Sequence, residues 1–224
     1  HCAHCKKPLA WYDLIPVFSF LFLQGRCRYC HKPINWLYPL VEFLTGAAFV
    51  AAAFYKGYWD DWGNLLYYLF ITSSFIVIFF TDLRYGIIPD KIVFPAIAVT
   101  FMYLIYINLA GQTPETCEVG CHLLSASGAF LFFLVIYLLS RGRGMGFGDV
   151  KLAFLLGLFF GFPTIVFVLY IAFLTGAVFS IILILLGKKK LKETITFGPF
   201  LVASALLVFF FVDEISKIVW FLPG

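Results

Sequence analysis

Residues 144–161, GMGFGDVKLAFLLGLFFG, place three alternating glycines and an aspartate directly before a short apolar run. As a helix at about 1.5 Å per residue, the run 150–161 reaches roughly 18 Å, which is less than a bilayer core of about 30 Å. The sequence GFP at 161–163 ends the run, since proline can start a new helix at its first turn. A short helix that opens with a carboxylate predicts a wet indentation in a membrane domain rather than ordinary lipid-facing packing.

The composition of the whole chain is that of an integral membrane protein. Of its 224 residues 62% are hydrophobic and 12% are charged, whereas a soluble domain carries about twice that charged fraction. Together with 150–161, six longer apolar runs predict an all-α polytopic membrane domain of about seven spans. The six runs are 36–55, 62–81, 92–110, 121–140, 164–187 and 198–221. Because the sequence begins at His1 rather than Met, we expect it to be a fragment or a trimmed chain.

Lysine and arginine are distributed unequally between alternate connections of these spans. Fourteen of the sixteen lie in one set of segments and two in the other. The rich set consists of 1–35, 82–91, 141–151 and 188–193. Because an excess of Lys and Arg marks cytoplasmic segments, this set is predicted to face the cytoplasm. The bias accounts for the net charge of +4, and no aromatic and basic stripe indicates a nucleic-acid partner.

Residues 1–35 are predicted to form a small cytoplasmic zinc-binding domain in front of the helical domain 36–224. Two CxxC sequences separated by 21 residues offer four thiolates to a tetrahedral zinc ion. These predicted ligands are Cys2, Cys5, Cys27 and Cys30. A segment this short cannot hold a core alone, and four thiolates leave no open coordination position. The zinc is therefore expected to be structural rather than catalytic.

Other readings of the cysteines stay open. The four thiols can be reduced and structural, or they can form two disulfides, which a reducing cytoplasm disfavours. Three histidines flank the CxxC sequences and are further candidate ligands: His1, His4 and His31. On the opposite side of the membrane, Cys117 and Cys121 form either a disulfide or a pair of buried thiols.

Four carboxylates lack an obvious solvated position: Glu42, Asp82, Asp90 and Asp149. Asp82 ends an apolar run, where the helix macrodipole opposes a negative charge, so capping does not explain it. Its structural alternative is a pair with Arg84. Asp90 follows Pro89 at a position that favours a helix cap. Asp149 can likewise be a cap, but a cap needs no row of glycines before it.

The glycines before Asp149 are expected to serve a substrate. Glycine lets another chain approach closely, so Gly146 and Gly148 are predicted to let a substrate backbone lie beside Asp149. Two aspartates at cytoplasmic span ends suggest the aspartyl-protease mechanism, in which two adjacent carboxyl groups share one proton. The ionised group activates water and the protonated group donates to the peptide carbonyl. The sequence alone leaves open whether Asp82 and Asp149 meet.

Five motifs occur in the order found in type IV prepilin peptidases, which this chain resembles over nearly its whole length. The motifs are CAHC-x21-CRYC, YPLVEFLTG, FTDLRYGIIPD, GMGFGDVKL and FGPFLVAS. The resemblance implies a bifunctional leader peptidase and N-methyltransferase of the GxGD class of membrane aspartyl proteases. It implies Asp82 and Asp149 as the catalytic pair, and it matches Asp90 to the second aspartate of the D-x7-D turn. It also implies a first span before the cysteine segment, which is expected to be missing from this chain.

The resemblance also implies substrates, a methyl donor and a location. The substrates are prepilins or pseudopilins, whose basic leader is removed at the cytoplasmic face of the bacterial inner membrane. S-adenosylmethionine is the implied donor for methylation of the new N-terminal amine, although no G-x-G-x-x-G motif marks its site. Glu42 is the candidate for holding the amine, because an ionisable residue inside a span is a functional hypothesis. A hydrogen bond to a neighbouring helix is its structural alternative.

Two other classes of function compete with the peptidase. A transporter could use Glu42, Asp82 and Asp149 as a proton or cation path, but it predicts carboxylates near the middle of the membrane and related halves. Both aspartates lie at one face, and no internal repeat is visible. A structural zinc-bearing assembly subunit predicts that neither aspartate matters.

Overall fold

The computed structural model describes residues 1–2, 4–56, 61–111, 119–142, 144–187 and 196–218. Within these residues the regular secondary structure is helical, apart from one isolated β-bridge between Arg26 and Pro33. A 3-10 helix, Trp11–Leu14, comes first. The α-helices are α1 (Phe18–Phe22), α2 (Leu37–Lys56), α3 (Trp62–Tyr85), α4 (Asp90–Leu109), α5 (Val119–Leu139), α6 (Phe147–Phe160), α7 (Thr164–Leu185) and α8 (Gly198–Ile218).

Each of the seven predicted spans corresponds to one of the helices α2 to α8, and the all-α polytopic membrane fold is confirmed. Five of these helices, α2, α3, α4, α5 and α7, are long and apolar enough to cross a membrane. With fourteen residues, α6 reaches about 21 Å and remains too short to cross alone. It ends before Gly161, and Pro163 is the N-cap of α7, as the GFP sequence predicts.

The chain divides into two compact units, His1–Gly57 and Tyr58–Gly224. The first unit contains the 3-10 helix, α1 and α2, and the second contains α3 to α8. The sequence-based boundary between residues 35 and 36 separates the cysteine segment from the first span, and it stays a prediction about domain organisation.

Helix α6 is the centre of the second unit, where it packs against α4, α5, α7 and α8. Val150, Leu152, Leu155 and Leu156 have no exposed surface. A helix that is apolar on every side requires such surroundings. An indentation that admits water can therefore lie only at the N-terminal end of α6, which carries Asp149.

Small residues allow α5 and α6 to come close together. A Cβ atom at Gly157 would lie 2.6 Å from Cα of Ala126 and 2.7 Å from the carbonyl oxygen of Ser125. Small residues at helix contacts in membrane proteins let the two backbones approach. This contact fixes the short helix within the bundle and thereby fixes the level of its N-terminal end.

Some features predicted from the sequence lie outside the described residues. They include Cys117 and the lysines of 188–193. Cys121 belongs to the described part of α5 and is disulfide-bonded. Of the two alternatives for Cys121, a disulfide or a buried thiol, the structure contains the disulfide.

Candidate active site and metal centre

A cavity of about 860 Å³ in the second unit brings together the two segments predicted to carry the chemistry. One wall comes from the end of α3 and the turn to α4, a second from the glycine-rich segment and the start of α6, and a third from the residues before α8. The lining residues are Asp82, Gly86, Ile87, Ile88, Pro89, Asp90, Lys91, Gly142, Gly144, Met145, Gly146, Phe147, Gly148, Asp149, Lys151, Thr196 and Phe197.

Asp82 lies in the last turn of α3 and is buried, with 4% of its surface exposed. Its main-chain carbonyl accepts the N–H of Gly86 at 2.8 Å, at the end of the helix. Its Oδ2 atom has no hydrogen-bond partner among the described residues. The guanidinium of Arg84 lies over the ring of Tyr85 at 5.4 Å. An unsatisfied buried oxygen costs about 1–3 kcal/mol, so the placement of Asp82 favours a functional role over a stabilising one.

Asp149 is the third residue of α6 and is 6% exposed. The N-cap of α6 is Gly146, and Asp149 takes part in the cap only as the third residue, through its side chain. The N–H of Gly146 donates to Oδ2 of Asp149 at 3.2 Å. The carboxyl group lies in the same cavity as that of Asp82. Two buried carboxyl groups so placed can hold one proton between them, because both cannot readily be ionised at once.

Gly198, the first residue of α8, packs directly on Asp82, a role that the sequence motif FGPFLVAS did not reveal. A Cβ atom at this position would overlap Oδ2 of Asp82 and lie 3.1 Å from Cδ1 of Ile88. The N-terminal end of α8 thus faces the carboxyl group, and a helix N-terminus favours negative charge. The motif marks a helix start, but a local pattern does not show which residue that start meets.

The two glycines predicted to admit a substrate differ in their surroundings. A Cβ atom at Gly148 would lie 3.0 Å from Cβ of Ile88, so this glycine allows a close contact within the protein. A Cβ atom at Gly146 would meet no described atom closer than Oδ2 of Asp149 at 3.7 Å. Gly146 therefore has free space beside it in the cavity, whereas Gly148 has a structural reason to be glycine.

Asp90 is the first residue of α4, and its expected role as the helix cap is wrong. The N-cap is Pro89, and no side-chain capping hydrogen bond is present there. The Asp90 carboxylate forms an ion pair with Lys151. The Lys151 ammonium also lies over the rings of Phe94 and Phe147, at 5.6 and 5.4 Å. This group links the starts of α4 and α6 at the cavity.

Glu42 belongs to the first unit, where its side chain binds the backbone at the start of α1. Its Oε2 atom accepts the N–H of Val17 at 3.0 Å. Val17 has a φ of +60°, which is unfavourable for a β-branched residue. The carboxylate therefore supports a strained turn, which is a structural role close to the hydrogen-bonding alternative. Its predicted contact with a substrate amine stays a prediction.

The four cysteines predicted as zinc ligands lie together in the first unit. Their sulfur atoms are all within 4.8 Å of one another, and those of Cys2 and Cys30 are 3.9 Å apart. Zn–S bonds of about 2.3 Å in a tetrahedral site place sulfur atoms about 3.8 Å apart, so the cluster fits zinc. Its described members are cysteines alone, and the flanking histidines do not belong to it.

The two CxxC turns have the same backbone hydrogen bonds. The N–H of Cys2 donates to the carbonyl of Lys7 at 3.0 Å, and that of Cys27 donates to Lys32 at 2.9 Å. Four residues after each first cysteine, Lys6 and His31 have φ near the left-handed region, +57° and +54°. Two matching turns present their thiols to a common point, as a structural zinc site requires.

The thiols of this cluster differ in pKa, because each responds to the backbone N–H groups and thiols around it. Backbone N–H groups of Cys5 and His4 lower the pKa of Cys2 to about 6. The N–H of Lys32 has the same effect on Cys30, but desolvation and the neighbouring thiols outweigh it and raise the pKa of Cys30 to about 11. Four thiolates at this spacing therefore need a bound cation, and zinc is the cation that suits a four-thiolate set.

The chain is similar to known proteins over its whole length. Residues 69–181 match the type IV leader peptidase family, and residues 1–56 match the bacterial peptidase A24 N-terminal domain. A prepilin leader peptidase/N-methyltransferase of Aeromonas hydrophila is 33% identical over 100% of this chain and 74% of its own length. The protein so named in Legionella pneumophila is 31% identical over 99% and 74%. That in Bacillus subtilis is 28% identical over 96% and 82%. No solved structure matches the chain significantly.

Proposed function

Because this chain belongs to the type IV leader peptidase family, we propose that it removes the basic leader of prepilins or pseudopilins with Asp82 and Asp149 as the catalytic pair. The observation that supports this best is the shared cavity, which two buried carboxyl groups from separate helices line. The distribution of Lys and Arg supports a site on the cytoplasmic face of a bacterial inner membrane.

The surroundings suggest which aspartate holds the shared proton. The start of α8 lies against Asp82, and a helix N-terminus favours the charged form of a carboxyl group. We therefore assign the proton to Asp149. The carboxylate of Asp82 takes a proton from water as the water oxygen attacks the peptide carbonyl carbon, and Asp149 donates its proton to the carbonyl oxygen. The tetrahedral intermediate then breaks its C–N bond: the amine leaves with the proton taken up by Asp82, and a hydroxyl proton of the intermediate returns to Asp149 as the new carboxyl group forms.

The cavity also suggests how a prepilin is placed. A leader followed by an apolar helix puts its cleavage point at the membrane surface, and both aspartates lie at helix ends rather than at helix centres. The open space beside Gly146 provides room for a substrate backbone next to Asp149. The side chain of Asp90 is 55% exposed and forms an ion pair with Lys151. A basic residue of the leader can replace Lys151 as the partner of this carboxylate.

Methyl transfer is the second proposed activity, and it rests on the relatives, which are named as N-methyltransferases. S-adenosylmethionine is the proposed donor, and when bound it would supply the methyl group for the new amine. We can match no set of described residues to this donor, and Glu42, the candidate for holding the amine, is hydrogen-bonded to the N–H of Val17. No step is therefore assigned to it.

Structural zinc is proposed for the four-cysteine cluster. Metal analysis of the purified chain should find one zinc per molecule, and Cys27→Ser should lose it, since three thiolates no longer close the site. Zinc content that does not change in this variant would contradict the assignment.

A transporter is not supported by the geometry. A proton or cation path would need ionisable groups through the middle of the membrane, whereas Asp82 lies in the last turn of α3 and Asp149 in the first turn of α6. Glu42 is found in the other unit, on the backbone of Val17.

The proposed activity is tested by incubating the purified full chain with a synthetic prepilin and determining the masses of both products. We expect a free leader and a mature peptide that begins at one defined residue. With S-adenosylmethionine present, the mature peptide should gain one methyl group. An intact prepilin would overturn the peptidase, and a cleaved but unmethylated product would overturn only the methyl transfer.

A further inference from the structure

The apolar residues of α1 mostly point away from the first unit. In this helix, FSFLF, only Phe20 is buried, and its ring packs on that of Trp36 with a centroid distance of 4.7 Å. Phe18, Leu21 and Phe22 are 63%, 60% and 85% exposed. Three large apolar side chains within five residues form an exposed patch of the kind that marks an interaction surface or a membrane contact.

Two contacts fix the level of α1 along α2. Trp36, which contacts Phe20, directly precedes α2. Glu42, which binds the N–H of Val17 at the start of α1, lies about 7.5 Å along α2 from Leu37 at about 1.5 Å per residue. The apolar stretch of this candidate span begins at Leu37. Helix α1 therefore lies beside the first two turns of a span, which is the depth of the lipid headgroups.

Positive charge accompanies this exposed helix. Residues 1–35 contain five Lys and Arg and one acidic residue, Asp13. The side chain of Asp13 is 1% exposed and forms an ion pair with Arg28 at 2.8 Å, so it presents no negative charge at the surface. The cations themselves are exposed. Basic groups next to a membrane span are attracted by anionic lipids.

We propose that α1 lies in the membrane surface, with Phe18, Leu21 and Phe22 inserted at the boundary between headgroups and acyl chains. The neighbouring cations bind anionic phospholipid headgroups. Lipid is the occupant that fits both the depth of α1 beside the start of α2 and the sign of the surrounding charge. This contact holds the four-cysteine segment on the bilayer, and it does not depend on the proposed peptidase activity.

The test uses the full chain in vesicles of equimolar phosphatidylglycerol and phosphatidylcholine. The photoreactive residue p-benzoylphenylalanine replaces Phe22, and after irradiation the adducts are identified by mass spectrometry. Phe43, which is 61% exposed on α2, serves as the lipid-facing control. Phe159, whose ring packs among those of Tyr67 and Phe75, serves as the protein-facing control.

We expect position 22 to form lipid adducts at a level similar to that of position 43, with adducts of phosphatidylglycerol at least twofold more abundant than those of phosphatidylcholine. Position 159 should form protein adducts. Adducts that join position 22 to this chain or to a second copy would overturn the proposal, and so would an absence of adducts. Lipid adducts in proportion to composition would overturn the assignment of anionic headgroups.

Discussion

Asp13 in the first unit and Asp82 in the second are both buried carboxyl groups, and they differ in what surrounds them. Oδ1 of Asp13 accepts from Arg28 at 2.8 Å, and Oδ2 accepts the N–H of Ala10 at 3.3 Å. Asp82 has an Oδ2 atom without a partner in the described structure. Buried polar groups are normally hydrogen-bonded, so the surroundings of Asp13 are those expected of a residue that stabilises the fold. The burial of Asp82 with an unpaired oxygen needs another explanation. A shared proton and a water molecule to activate would provide that reason.

The largest effect should come from removing the second member of the pair. Asp149→Asn should lower leader cleavage by at least about 10²–10⁴-fold, because the amide cannot exchange the proton that general acid–base catalysis requires. The double variant Asp82→Asn/Asp149→Asn should be no worse than either single variant, since groups that act as a unit are not additive. Cleavage rates of the three purified variants test this. Losses that multiply in the double variant would mean that the two residues act separately.

Gly198→Ala should disturb the position of Asp82. The new methyl group would overlap Oδ2 of Asp82, and a displacement of about 1 Å in a catalytic group can cost about a hundredfold in rate. Gly128→Ala is the matched control, because a Cβ atom at this helical glycine meets nothing within 4 Å. We expect the control to cleave normally at equal expression. Normal cleavage by Gly198→Ala would show that the contact with Asp82 has no role in catalysis.

Gly146→Ala should lower cleavage by about tenfold at an unchanged melting temperature. Its methyl group has room within the protein and would project beside Asp149, where the substrate backbone is proposed to lie.

Gly148→Ala should lower both cleavage and stability, because its methyl group presses on Ile88. Gly142, another glycine that lines the cavity, cannot serve as a control, since its φ is +70° and alanine is strained there. Full activity in Gly146→Ala would contradict the proposal that the substrate backbone lies beside this residue.

Much of the fold could be predicted because it depends on local patterns. Apolar runs identify α2 to α8, and the spacing of the CxxC sequences identifies the cluster that contains Cys2 and Cys27. The contacts that shape the cavity could not be predicted in this way. Gly198 meets Asp82 across more than one hundred residues of sequence, and Lys151 pairs with Asp90 from another helix. Such contacts depend on how the helices pack, which no single segment specifies.

The central claim is that Asp82 is buried for catalysis, whereas Asp13 is buried for structure. The most direct measurement is leader cleavage per folded molecule for Asp82→Asn and Asp13→Asn, at a temperature below the melting point of both. Asp13→Asn should lower the melting temperature, since the amide weakens the ion pair with Arg28, and should cleave at the parental rate. Asp82→Asn should remain folded and release no leader. Cleavage by Asp82→Asn close to that of Asp13→Asn would contradict the account.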